Sequence, residues 1–197
     1  MGMYLGLVSI SDEGITQILS DPPLVWKVVS PDDPEIYEEA RYAKTSWFSR
    51  LFAKKASSQE ELKVDIKREE DVDVDKAWHG IHYLLTGTAW EGEFPLNFLV
   101  AGGTEVGDID LGYGVARTFR SDAVSEINAA LSEIDEQTLR TRFNPQQMTK
   151  LQIYPDIWDR DSDEDDTFGY CAEYFQILRN FVTRVAERNL GVVVYIS

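Results

Sequence analysis

Residues 73–87 read DVDKAWHGIHYLLTG, and this one run holds both histidines of the chain, His79 and His82. Trp78, Ile81, His82 and Leu85 fall at i, i+3, i+4 and i+7, which is one stripe of an α-helix. Leu84 flanks that stripe. Asp73 or Asp75 can accept from the free N–H groups of the first turn, and Gly87 suits a left-handed C-terminal cap. The spacing therefore predicts a helix with His82 facing the core, while His79 and Tyr83 lie beside the stripe, nearer its boundary. Gly80 costs roughly 1 kcal/mol relative to alanine inside a helix, so its presence there implies the close approach of another element or a ligand.

Two histidines three residues apart on one helix have a reactive reading, as an acid/base pair or two metal ligands. They also have a structural one: a core histidine bonded to the backbone and a surface histidine. The structural reading is preferred, because two imidazoles without a nearby cysteine or third histidine make a poor zinc site. A buried imidazole needs a hydrogen-bond partner, and burial lowers its pKa.

The same run carries a resemblance. Asp75–Gly87, Gly112–Arg117 (GYGVAR), Ile153–Trp158 (IYPDIW) and the closing stretch from Tyr174-Phe175 to Val194 are similar to the signature of the YfbM-like family of uncharacterised bacterial proteins. The likeness covers the N-terminal strand and residues 73–197. It implies a compact α+β fold and brings no activity with it.

Length and composition set further bounds. The chain has 197 residues, enough for one domain with a sizeable core. We read 1–197 as a single domain with a charged, poorly legible insertion at about 22–72. No apolar run approaches the ~20 residues of a membrane span, and the opening MGMYLGLVSI lacks the basic leader of a signal peptide. The single cysteine, Cys171, excludes an internal disulfide and fits a reducing, cytoplasmic setting. The net charge of −16 argues against a nucleic-acid partner and permits a basic protein partner reached by electrostatic steering. No membrane partner and no cofactor are expected, and the oligomeric state is not legible.

Taken in order, Met3–Ile10 is a short apolar run and a candidate buried strand. Ser11 or Asp12 opens a helix that Asp21-Pro22-Pro23 ends. Leu24–Val29 suits a strand or docked loop, and Glu35–Ala53 a helix with Trp47, Phe48 and Phe52 at its aromatic end. Residues 54–73 read as an exposed connection. Asn97–Val100 suits a helical turn or an edge strand. The glycine-rich run from Gly107 to Gly114 lacks GxGxxG spacing and reads as tight turns beside a strand, Val115–Phe119. Ser121, Asp135 and Asn144-Pro145 open three helices. The tract Asp159–Asp166 places Asp159, Asp161 and Asp163 at positions 1, 3 and 5 of a calcium loop, but Glu164 replaces the glycine at position 6 and Tyr170 the glutamate at position 12. It reads as a solvated loop whose last acids favour the next helix N-terminus. That helix, about 167–189, buries Cys171 as an inert thiol, and GVVVYI at 191–196 reads as a central strand.

These elements predict an α+β domain: a small mixed sheet containing both chain termini, packed by several helices, chiefly the central one and the long C-terminal one. No complete catalytic constellation emerges, since there is no GxSxG and both histidines share a helix. No metal site is expected. The candidate pocket gathers the polar and aromatic residues of the signature runs: Trp78, His79, His82, Tyr113, Arg117, Tyr154, Trp158 and Asp159. Two functions fit. One is a non-enzymatic acidic interaction module, of which an immunity-type role against a basic toxin is a concrete version. The other is an enzyme or small-ligand binder with a pocket between the Trp78–His82 helix and the Tyr113–Arg117 run.

Overall fold

A computed structural model describes residues 2–43, 66–160 and 165–197. Trp47, Phe48 and Phe52, most of the expected charged connection, and Asp161 and Asp163 lie outside the described residues. A five-stranded sheet forms the middle layer, in the order β2-β1-β5-β4-β3. Its strands are β1 (Leu5–Ile10), β2 (Glu70–Asp73), β3 (Thr104–Asp110), β4 (Val115–Phe119) and β5 (Gly191–Ile196). Both chain ends enter this sheet as expected, with β5 at its centre and β1 alongside. The expected mixed sheet is antiparallel instead in each described pairing, because each strand returns against its neighbour.

Eight α-helices are described: α1 (Asp12–Ser20), α2 (Val25–Val29), α3 (Pro34–Ala43), α4 (Trp78–Thr86), α5 (Ser121–Ser132), α6 (Glu136–Arg142), α7 (Pro145–Lys150) and α8 (Thr167–Glu187). Helices cover both faces of the sheet. Leu5, Leu7, Phe119, Val192 and Val194 pack with side chains of α4, α5 and α8 on one face. Val8, Ile10, Val106, Ala116 and Val193 pack with Ile15, Ile18, Val25, Val28 and Tyr37 on the other. Burial on both sides is why β1 and β5 read as unbroken apolar runs rather than alternating ones.

Several local expectations need correction. Leu24–Val29 is neither strand nor loop: a 3-10 turn at Pro22–Leu24 leads into α2, whose Val25 and Val28 fill the second core. The end of the supposed exposed connection is the edge strand β2, in register with β1 at Gly6↔Asp73 and Ser9↔Glu70. Acids at its start meet cations at the end of α8: Arg184 pairs with Glu70 at 3.0 Å, and Arg188, just past the helix, pairs with Glu69, just before the strand. The first half of the glycine-rich run is β3; only its end is the turn. Ser121 is not a cap but the first helical residue of α5, and Asp12 of α1 accepts from both its N–H and its hydroxyl, at 2.9 and 2.8 Å. Ser11, Asp135, Asn144 and Asp166 do cap α1, α6, α7 and α8 through their side chains.

Candidate functional site

The centre of the signature run, α4, is preceded by a 3-10 turn, Asp75–Ala77, and has no side-chain cap. Asp73 accepts from the Asp75 N–H at 2.6 Å, closing a local turn, and Asp75 accepts from the Tyr170 hydroxyl at 2.8 Å. Gly87 ends the helix in the left-handed region, φ 76°, as expected. Residues 78–85 are buried without exception, so the helix has no polar boundary; His79 and Tyr83 are as enclosed as the stripe itself. Such all-round burial means that α4 runs through the core rather than over it. Gly80 makes this passage possible: a Cβ there would stand 2.5 Å from the Trp158 ring and 2.7 Å from Cys171 Sγ. Cys171 is wholly buried, and burial pushes its thiol pKa up, which fits an inert core residue.

Both histidines are fully buried, so the expected division into one core and one surface histidine does not hold. His79 is completely bonded. Its Nδ1 accepts from the Tyr154 N–H at 3.0 Å, which makes Nε2 the protonated nitrogen, donating to the Ala89 carbonyl at 2.7 Å. The ring thereby ties two loops to α4. Burial lowers the His79 pKa, and the Ala89 carbonyl offsets part of this. His82 lies 6.4 Å away, ring to ring. The Thr86 hydroxyl donates to the His82 carbonyl at 2.9 Å, so His82 Nε2–H is the donor toward Thr86 Oγ1 at 3.3 Å. Nδ1 is buried without a protein partner. Burial first, then His79, brings the His82 pKa down to about 4, so this imidazole is neutral near pH 7.

Around His79 sits an aromatic cluster. Trp78 stacks on it at 4.9 Å and Trp90 packs on it at 4.3 Å, while Tyr154 lies 6.1 Å from Trp78. Trp78 donates to the Met3 carbonyl at 3.3 Å and the Tyr154 hydroxyl accepts from the Met3 N–H at 2.9 Å, which fastens the entry to β1. Trp158 is buried and donates to the Ile153 carbonyl at 2.6 Å. The signature residues Trp78, His79, Tyr154 and Trp158, with His82, form scaffold. Asp159 stands apart on an exposed loop.

Tyr113 and Arg117 come together elsewhere, in a cleft of about 350 Å³ between the loop after α4, the β3–β4 turn and the end of β5. Trp90 joins the two regions: its ring packs on His79 from inside and lines the cleft outside, 55% exposed. Tyr113 is 46% exposed at the tip of a turn that Asp110 holds, its carboxylate accepting from the Gly112 and Gly114 N–H groups. Those two bonds lower the Asp110 pKa and keep it ionised. Arg117 is committed to backbone: NH1 donates to the carbonyls of Phe98 at 2.9 Å and Ala101 at 2.7 Å, and NH2 to that of Leu99 at 2.6 Å. Burial brings its pKa down to about 10, against the opposing pull of Glu105, its cross-strand neighbour, so it stays cationic. Among the described residues no group of three or more His, Cys, Asp or Glu side chains could hold a metal ion.

The model of the Domain of unknown function DUF1877 matches residues 1–195. The chain belongs to the DUF1877 family. A solved structure, the protein of unknown function YfbM from Escherichia coli, superposes with a TM-score of 0.63 at 18% identity, over 100% of both chains. At that identity the likeness shows the fold alone. No curated protein matches the chain.

Within this family member the cleft residues that sequence reasoning missed are Trp90 and Glu105. Trp90 lies in a short polar loop, TGTAWEGE, where a tryptophan has no core stripe to join. That mismatch between residue and context was the available signal. Glu105 carried none, because its strand was itself unread.

Proposed function

We propose that the protein is a non-enzymatic interaction module that holds a basic protein partner on its acidic surface, in a cytoplasmic setting. The observation that carries this is the state of the two imidazoles. Both are buried, neutral near pH 7 and, in the case of His79, bonded at both nitrogens, so neither is placed to exchange protons with a ligand. The net charge of −16 supplies long-range attraction for a cationic surface. An immunity-type role against a basic toxin is one concrete version. The test is titration with Lys/Arg-rich peptides and with acidic peptides of equal length, at 50 mM and 500 mM salt. The expected result is binding of the basic set alone, lost at high salt. Binding of neither set at 50 mM salt contradicts the proposal.

A second reading, a small-ligand binder or enzyme, is favoured by one observation: the cleft at Trp90, Tyr113 and Arg117 falls in the size range of ligand pockets, about 300–1,000 Å³. Its mark would be a small molecule that raises the melting temperature of the wild type and not that of Tyr113→Ala.

A further inference from the structure

We infer that the Trp90–Tyr113 cleft is where a basic protein partner inserts a lysine or arginine side chain. This deepens the interaction reading and rests on it. Trp90 and Tyr113 are two of only five large hydrophobic side chains that are exposed among the described residues, and they line the same cleft. An exposed indole and an exposed phenol are the groups that hold a cation by its attraction to the ring face. The carboxylate of Glu105 lines the cleft with them, and Asp110, kept ionised by its two backbone N–H donors, fixes the turn that carries Tyr113.

The cleft also contains a cation of its own, and its bonding decides which sign of ligand fits. An anion would need Arg117, but the Arg117 guanidinium already donates to the carbonyls of Phe98, Leu99 and Ala101. An incoming carboxylate or phosphate would have to share that guanidinium with its carbonyl acceptors and would meet the Glu105 carboxylate that lines the same cleft. A cation is drawn by Glu105, and the repulsion from Arg117 is weakened because the guanidinium is held by backbone acceptors and faces Glu105 across the strand pair. His79, behind Trp90, is kept neutral by burial, so no internal cation competes for that indole. The chain's net charge of −16 complements a basic partner as a whole.

The probe is an arginine-rich nonapeptide, followed by titration calorimetry and by the indole N–H resonance of Trp90, assigned from its absence in Trp90→Phe. The expected result is a saturable shift of that resonance and affinity about tenfold weaker in Trp90→Ala, Tyr113→Ala and Glu105→Gln, each at exposed positions. Glu136→Gln, remote on α6, should leave affinity unchanged. Peptide binding with full affinity in the three cleft variants would overturn this inference and leave the interaction module standing. No binding of the peptide to the wild type would overturn both.

Discussion

Replacing Gly80 by alanine sets two effects against each other, and their sizes decide the sign. Alanine is about 1 kcal/mol better than glycine inside a helix, so on propensity alone the variant would be stabilised. The new Cβ, however, would stand 2.5 Å from Trp158 Cη2 and 2.7 Å from Cys171 Sγ. Carbon atoms in optimal contact are about 3.5–4.0 Å apart, so something must move by roughly an ångström. Neither neighbour is free to. Trp158 is 1% exposed, its indole is tied to the Ile153 carbonyl and its ring meets Phe143 edge to face; Cys171 is completely buried. Overpacking a core typically costs about 1–3 kcal/mol, and two rigid neighbours put this site at the upper end. The net effect is a loss of about 2 kcal/mol, or roughly 4–8 °C in melting temperature for a chain of this size. Urea and thermal unfolding of Gly80→Ala measure it. Cys171→Ala removes one of the two obstacles, so the double variant should lose clearly less than the sum of the single variants. A Gly80→Ala protein as stable as the wild type, or strict additivity with Cys171→Ala, would refute a helix threaded between these two side chains.

Acid should expose the buried histidine. The folded pKa of His82 is about 4 against an unfolded 6.5, so below pH 6.5 the unfolded chain takes up a proton that the folded protein refuses. Stability therefore falls as pH drops from 6.5 toward 4, by about 3 kcal/mol in all at 1.36 kcal/mol per unit. Urea midpoints across that window should be flatter for His82→Leu, and an equal slope in both proteins would contradict the assignment. Arg117→Met removes a charged donor from the carbonyls of Phe98, Leu99 and Ala101, and should cost about 3 kcal/mol in chemical denaturation. Arg117→Lys should recover only part of this, since an ammonium cannot reproduce the planar fork.

Where a segment's surroundings are simple, its sequence was enough. The cap at Ser11, the proline stop after α1, the long stripe of α8 and the β-branched β5 all have one dominant local determinant, and all appear where expected. The edge strands had none. In β2 (EDVD) and β3 (TEVGDID) charged residues outnumber apolar ones, and what makes them strands is the neighbour each pairs with and, for β2, Arg184 of α8. Such determinants lie far away in the chain and leave no local pattern. The helix stripe in 73–87 was correctly placed, but its width was not: periodicity marks which face is most apolar, whereas α4 is enclosed on every side by the sheet, α8 and the loop after it. For the candidate site, Tyr113 and Arg117 were found by their runs, yet Arg117 proves to be a clamp on backbone carbonyls. Trp90, which links the cleft to His79, offered only the mismatch between a large aromatic and its short polar loop, and nothing in that loop says what the ring packs on.

The sharpest test is to follow the ring nitrogens of His79 and His82 by heteronuclear NMR from pH 5 to pH 8. If the pair is scaffold, His82 does not titrate in that range, His79 takes up a proton only below its ordinary 6.5, and near pH 7 His79 is a single neutral tautomer, protonated at Nε2 with Nδ1 accepting from Tyr154. Either imidazole titrating near pH 6.5, with both tautomers of His79 populated, would mean that the rings reach solvent and that the centre of the molecule is a reactive site after all.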